Sequence, residues 1–202
     1  MKRLFFLLIC SRIANIVLAQ RMLKPQDVLV ACKIFSLGES KWIFSRLARS
    51  LEISVSETHG ATERCKKAGV LGTPRGKLTV AKKRFFELLT LAVPQVFYAV
   101  RGAIGLGVPT SIWANPLDKW FPVTSREIGG IPLVWPHLTG TVKGESLLPI
   151  YPTVPKIVQH DDVLYKMLAL VDVVRTAEIS ERKLATDLLE KMILRDERRL
   201  ET

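Results

Sequence analysis

Six stretches of the chain place apolar residues at helical spacing. In the first, Pro25 suits an opening helical position, which needs no N–H. Val28, Leu29, Cys32, Ile34 and Phe35 follow as a stripe. Leu47, Ala48 and Leu51 give a shorter one, and a break over residues 52–55 carries Ile53. A further helix is expected from Ser54 or Ser56, either of which can cap it, to Ala68. Gly69 then stands where a helix end favours positive φ. Residues 79–91 predict a fourth helix, with Lys82, Lys83 and Arg84 at its start and Phe85, Phe86, Leu88, Leu89 and Leu91 along it. Pro94 is expected to limit or kink it. Asp161 can cap a fifth, striped by Leu164, Met167, Leu168, Val171 and Val174. After a break at residues 175–178, Leu184, Leu188, Leu189, Met192 and Ile193 mark a sixth. The last two read as a helical hairpin that closes the core or dimerises.

The remainder is extended or irregular. Gly38 to Ser40 ends the first helix, and Lys41, Trp42 and Ile43 read as a bridge or short strand. Val70 and Leu71 begin an extended segment, and the Gly/Pro/Arg/Lys run to Lys77 reads as a hairpin tip. Residues 101–155 hold eight prolines and seven glycines. Their Gly102, Gly105 and Gly107 lack the order and strand–turn–helix setting of a dinucleotide fingerprint. An irregular loop is expected there, packed down by Trp113, Trp120 and Trp135, with a hairpin over residues 131–135 and 140–144.

Charge sharpens this picture. The 202 residues carry a net charge of +11. Residues 1–91 hold 17 Lys/Arg against 6 Asp/Glu, whereas residues 92–202 hold 13 of each. The basic half contains the 44–77 helix pair and hairpin, which is the electrostatic footprint expected of a nucleic-acid binder. Apolar residues make up 48%, enough for a substantial core. Cys10, Cys32 and Cys65 are isolated, with no CxxC spacing, which fits a reducing compartment and a cytoplasmic protein. Residues 1–21 leave three readings open: an extension upstream of a start at Met22, a peripheral anchor, or a secretory signal. Their apolar run is too short to span a bilayer, and no membrane is required.

The order Leu47–Ala48, Leu51, Ile53–Ser54, Ser56, Ala61 and Ala68–Gly69–Val70–Leu71 resembles the winged helix-turn-helix of bacterial MarR-like and ArsR-like transcription regulators. Arg101–Gly102, Gly107–Val108–Pro109–Thr110, Val134–Trp135–Pro136, Leu148 to Pro155 and Leu164 to Asp172 extend the likeness to a bacterial family of MarR-type regulators, over residues 22–194. The resemblance implies a mainly α fold with a small β wing (α+β). Residues 1–21 would be an extension, 22–91 the winged domain, 92–158 a Pro/Gly/Trp-rich linker or partner-binding region, and 159–199 a C-terminal helical hairpin. Thr58, Thr62 and Cys65 stand where such helices usually carry Val or Leu, and Gly60 costs about 1 kcal/mol mid-helix. These departures leave open a fold kept for protein contacts.

On the second helix of the pair, Ser56, Glu57, His59, Gly60, Glu63, Arg64 and Lys67 are expected to face outward, with Ser54 at its start. Arg64 is the favoured base reader, through bidentate contact to guanine. Glu63 is expected to pair with Lys67. Arg75 and Lys77 in the wing, assisted by Lys41, would contact the backbone or minor groove, positioning the chain without specifying sequence. The expected partner is double-stranded DNA, bound by a homodimer because such proteins read paired half-sites. A protein partner on the Trp-rich middle and C-terminal helices is the alternative. His59, His137 and His160 show no metal-ligand spacing. Glu127, Glu145 and Asp172 form no recognisable acid/base pair, so neither an enzyme nor a cofactor is expected.

Overall fold

A computed structural model describes residues 22–38, 40–121 and 130–197. The readings offered for residues 1–21, Cys10 among them, and for Glu127 lie outside these. The fold is mixed α and β, mainly helical with small sheets. Helix α1 (Pro25–Leu37) is followed by α2 (Phe44–Leu51) and α3 (Val55–Lys67). Strands β1 (Leu71–Gly72) and β2 (Thr79–Val80) form an antiparallel hairpin, with Leu71 opposite Val80. Lys41 to Ile43 form no strand, and the β1–β2 sheet has only those two strands.

α1 is more than a striped helix, because every residue from Asp27 to Phe35 is buried. It packs against α2, α3, β2 and the C-terminal helix α7 (Asp162–Thr176). α7 is buried just as continuously, from Leu164 to Val174. One core therefore runs from Val28 to Ile193 of helix α8 (Ile179–Ile193). Helices buried over such long central stretches need internal partners for the charged groups there, since an unpaired buried charge is too costly to keep. Asp161 caps α7 by accepting from Leu164 N at 2.9 Å. It also accepts from Lys33 Nζ and Ser36 Oγ of α1, each at 2.7 Å, and so joins the two helices.

The helix expected over 79–91 starts later and runs further. Thr79 and Val80 belong to β2, and α4 (Lys82–Glu87) passes through a π segment, Leu88–Ala92, into α5 (Val93–Val96). Pro94 lies in the first turn of α5, where the absent N–H breaks little.

The Gly-rich run also differs from expectation. It is strand β3 (Arg101–Pro109), paired antiparallel with β4 (Leu133–Pro136) and β5 (Val142–Leu147). β4 and β5 do not form the expected hairpin. They pair parallel through Leu133–Glu145 and Val134–Ser146, which closes the three strands into a ring. Glycine makes this closure possible: a Cβ at Gly107 would run into the Trp135 carbonyl, and one at Gly140 into the Gly107 backbone. The short helix α6 (Val154–Ile157) leads from the ring to α7.

Asp172 fastens α7 to the ring. Its Oδ2 accepts from Trp135 Nε1 at 2.7 Å and Thr110 Oγ1 at 2.8 Å, and its Oδ1 from Arg175 Nη1 at 2.6 Å. Arg175 continues to the carbonyls of Phe97 and Tyr98, and Tyr165 Oη donates to Pro109 O at 2.7 Å. Burial pushes the Asp172 carboxyl above the ordinary range, with Arg175, Thr110 and Trp135 pulling the other way. Trp135 is thus a core anchor, while Trp113 and Trp120 are half-buried.

Asp172→Ala is expected to lower unfolding stability by about 3–5 kcal/mol, because it strands a buried Arg175. Trp135→Phe, which mainly leaves one acceptor short, is expected to cost about 1–3 kcal/mol. Urea denaturation of both variants checks the order; equal, sub-kilocalorie effects would remove Asp172 as the fastening point.

Candidate nucleic-acid interface

The α2–α3 corner is built from local rules. Ala48 is small and fully enclosed between helices, with Leu47 and Leu51 beside it. α2 ends at Glu52 in the left-handed region (φ 54°). Ser54 caps α3: its Oγ accepts from Glu57 N at 3.0 Å, and Glu57 Oε2 accepts from Ser54 N at 3.1 Å. This reciprocal box satisfies two end donors at once. It also holds the Glu57 carboxyl below the usual range. Gly69 takes φ 70°, which lets the chain leave α3 for β1, and a Cβ there would collide with Arg84. Arg84 in turn donates to Ala68 O at 3.4 Å. Part of the basic start of α4 therefore serves the C-terminal end of α3, where a cation is favourable.

α3 buries Thr58, Ala61, Thr62 and Cys65. The two threonines pack inward because each hydroxyl donates back to the preceding turn, Thr58 to Ser54 O at 2.9 Å and Thr62 to Thr58 O at 2.8 Å. Cys65 Sγ lies 3.4 Å from Asp27 O. Burial pushes its thiol up to about 12, and the Cys32 thiol is raised further by the same cause.

Ser54, Ser56, Glu57, His59, Glu63 and Lys67 are exposed, and Gly60 is half-buried. Arg64 departs from its expected role. Its guanidinium turns inward, with Nε 2.7 Å from Asp27 Oδ2 and Nη2 2.6 Å from Oδ1. Asp27 is completely buried and also accepts from Lys24 N at 2.9 Å. The same bidentate geometry that suits guanine is spent on this carboxylate, which raises the Arg64 pKa. Gly60 keeps the path clear, since a Cβ there would sit 3.2 Å from Arg64 Nη1. Asp27 is 37 residues away, so nothing in the local pattern points to it.

Glu63 pairs with Lys66 at 2.8 Å rather than with Lys67, and this holds its carboxyl low. Lys67 remains outward. His59 stacks on Phe44, with ring centroids 4.0 Å apart and planes 20° apart; Trp42 meets Phe44 edge-on at 5.6 Å. At the hairpin tip, Arg75 is exposed in the left-handed region (φ 54°) beside Gly76 (φ 75°), and Lys77 is half-buried. Arg46 and Arg49 on α2 are exposed cations that the sequence reading passed over; they lie on the face away from Leu47 and Leu51. Among the described residues, Lys41, Arg46, Arg49, Lys67, Arg75 and Lys83 have no acidic partner within ion-pair distance. Also among the described residues, no helix is long and apolar enough to cross a membrane.

No family model, curated protein or solved structure matches the chain.

Arg64→Ala is expected to cost about 3–5 kcal/mol of stability, by leaving Asp27 buried and unpaired. Chemical denaturation reads this directly. A variant as stable as the parent would show that the guanidinium is free for an outside partner. Because their pKa values are raised by folding, Cys32 and Cys65 favour the native state below the ordinary thiol value of about 8.5. That contribution is lost as pH climbs through the folded values. In a Cys10→Ser chain at pH 8, neither thiol should react with a disulfide reagent until denaturant is added; labelling of the native chain would contradict their burial.

Proposed function

We propose that the chain is a sequence-specific transcription regulator that binds double-stranded DNA as a homodimer, using α2–α3 and the β1–β2 hairpin as a winged helix-turn-helix. The observation that carries this reading is the set of cations without acidic partners around an outward α3: Arg46 and Arg49 before it, Lys67 at its end and Arg75 at the hairpin tip. Their role is to hold phosphates, which fixes orientation on the duplex. Base contacts would fall to Ser56, His59 and Glu63. Gly60 and Arg64 act from behind as a clear path and a brace, and Ser54 with Glu57 serves as the helix cap. α7 is spent on the core, so the dimer contact belongs elsewhere, with Ile179 and Leu184 on α8 exposed and available.

A second reading rests on a different observation. The strand ring leaves Ile104, Leu106 and Leu138 exposed, Leu138 completely, and Leu106, Pro136, His137 and Leu138 line an open groove of about 400 Å³. Exposed apolar surface of this kind suits a protein-interaction scaffold, such as an antitoxin or defence-system subunit, in which the winged fold serves as a support.

Full-length protein is expected to prefer DNA from upstream of its own gene over a scrambled duplex, and to keep that preference when salt is raised. Arg75→Ala should weaken both duplexes alike and reduce the slope of log affinity against log salt by about 1. Equal, salt-fragile binding to both sequences would favour the scaffold.

A further inference from the structure

We infer that the Trp42–Phe44–His59 row is a stacking site for an unpaired base of a single-stranded nucleic acid, beyond the duplex reading proposed above. Three aromatic rings line up where the start of α2 faces α3, with Trp42 packed against the core. Trp42 and Phe44 are half-buried and His59 is exposed. Trp42 supports Phe44 edge-on at 5.6 Å, and Phe44 supports His59 face-on at 4.0 Å with planes 20° apart. Phe44 therefore covers one face of the imidazole, while the residue as a whole is exposed. An exposed planar ring backed on one face by another is a platform on which a base can stack, and base–aromatic stacking tolerates any base because each has a π-face.

The surroundings fit the rest of a nucleotide. Arg46 and Arg49 follow Phe44 on α2 and Lys41 precedes it, all exposed and without an acidic partner among the described residues. Lys67 lies two turns beyond His59 on α3. The acids of this corner are engaged: Glu57 with Ser54, Glu63 with Lys66, and Glu52 with Lys156 at 2.6 Å. The elements that carry the rings, α2 with the turn before it and α3, thus also carry exposed positive charge that can meet the phosphates of a strand. Paired bases in a duplex have both faces covered by their neighbours, so this stacking is open only to an unpaired base, of DNA or RNA.

The test uses the full chain and four fluorescently labelled 15-mers: d(A)15, r(A)15, an abasic strand of equal length and charge, and a random duplex. Fluorescence anisotropy is expected to show d(A)15, r(A)15 or both bound about tenfold more tightly than the abasic strand. His59→Ala should abolish that gain, and His59→Phe should restore it, since the stack needs an aromatic face and not a charge. His59 is exposed, so its replacement leaves the core intact. If both base-bearing strands bind no better than the abasic one, or if the gain persists in His59→Ala, the inference is overturned. Failure of the duplex reading is distinguishable, because it appears as absent sequence preference among duplexes and leaves the comparison of single strands untouched.

Discussion

Asp27 sits in the first turn of α1 at a position that water does not reach, and a carboxylate there requires a cation. Arg64 supplies it with two hydrogen bonds of 2.6 and 2.7 Å from the far end of α3. The rest of the N-terminal half follows from this pair. It sets how α3 lies on α1 and draws Gly60 and Cys65 inward with Arg64. Lys33 with Asp161, and Asp172 with Arg175, answer the same need where α1 meets α7 and where α7 meets the strand ring. Each contact leaves a desolvated charge if one partner is removed, which makes the arrangement of elements specific as well as stable.

The pair also decides what α3 can offer to the outside. With Arg64 turned in, the outward face is small and of mixed charge: Ser56, His59, Glu63 and Lys67. Positive charge sits at its edges, on α2, at the hairpin tip and at the start of α4. If the chain binds DNA as proposed, such a surface would hold phosphate at its edges and read bases through few side chains. His59 stands out on it because Phe44 fixes its ring, so it loses less freedom on contact than the long, mobile Lys67.

The α2–α3 corner was legible in the sequence because its determinants are local. Leu47, Ala48 and Leu51 lie within one helix, and a serine cap at Ser54 or Ser56 was expected, although the return bond from Glu57 that selects Ser54 was not read. Asp161 as the cap of α7 was legible for the same reason. The fate of Arg64 was not, since its outward helical position is overridden by a carboxylate 37 residues away. β3 was hidden because the glycines that permit ring closure also erase the alternation that marks a strand. Pro94 pointed to a helix end, yet the preceding π segment resets the ladder and lets the proline start a new turn. Thr58 and Thr62 read as departures from an apolar face, but their hydroxyls are satisfied by the turn above, which leaves their methyl groups to pack.

A DNA-binding role, as proposed, would make the α3 face and hairpin tip, rather than the strand ring, the working surface. Hydrogen–deuterium exchange of the full chain, with and without a 20-base-pair duplex at low salt, tests it most directly. Added protection is expected over residues 54–67 and 73–77, with residues 101–109 and 133–147 unchanged. Protection confined to the strand ring, or absent from α3 while binding is saturated, would contradict it.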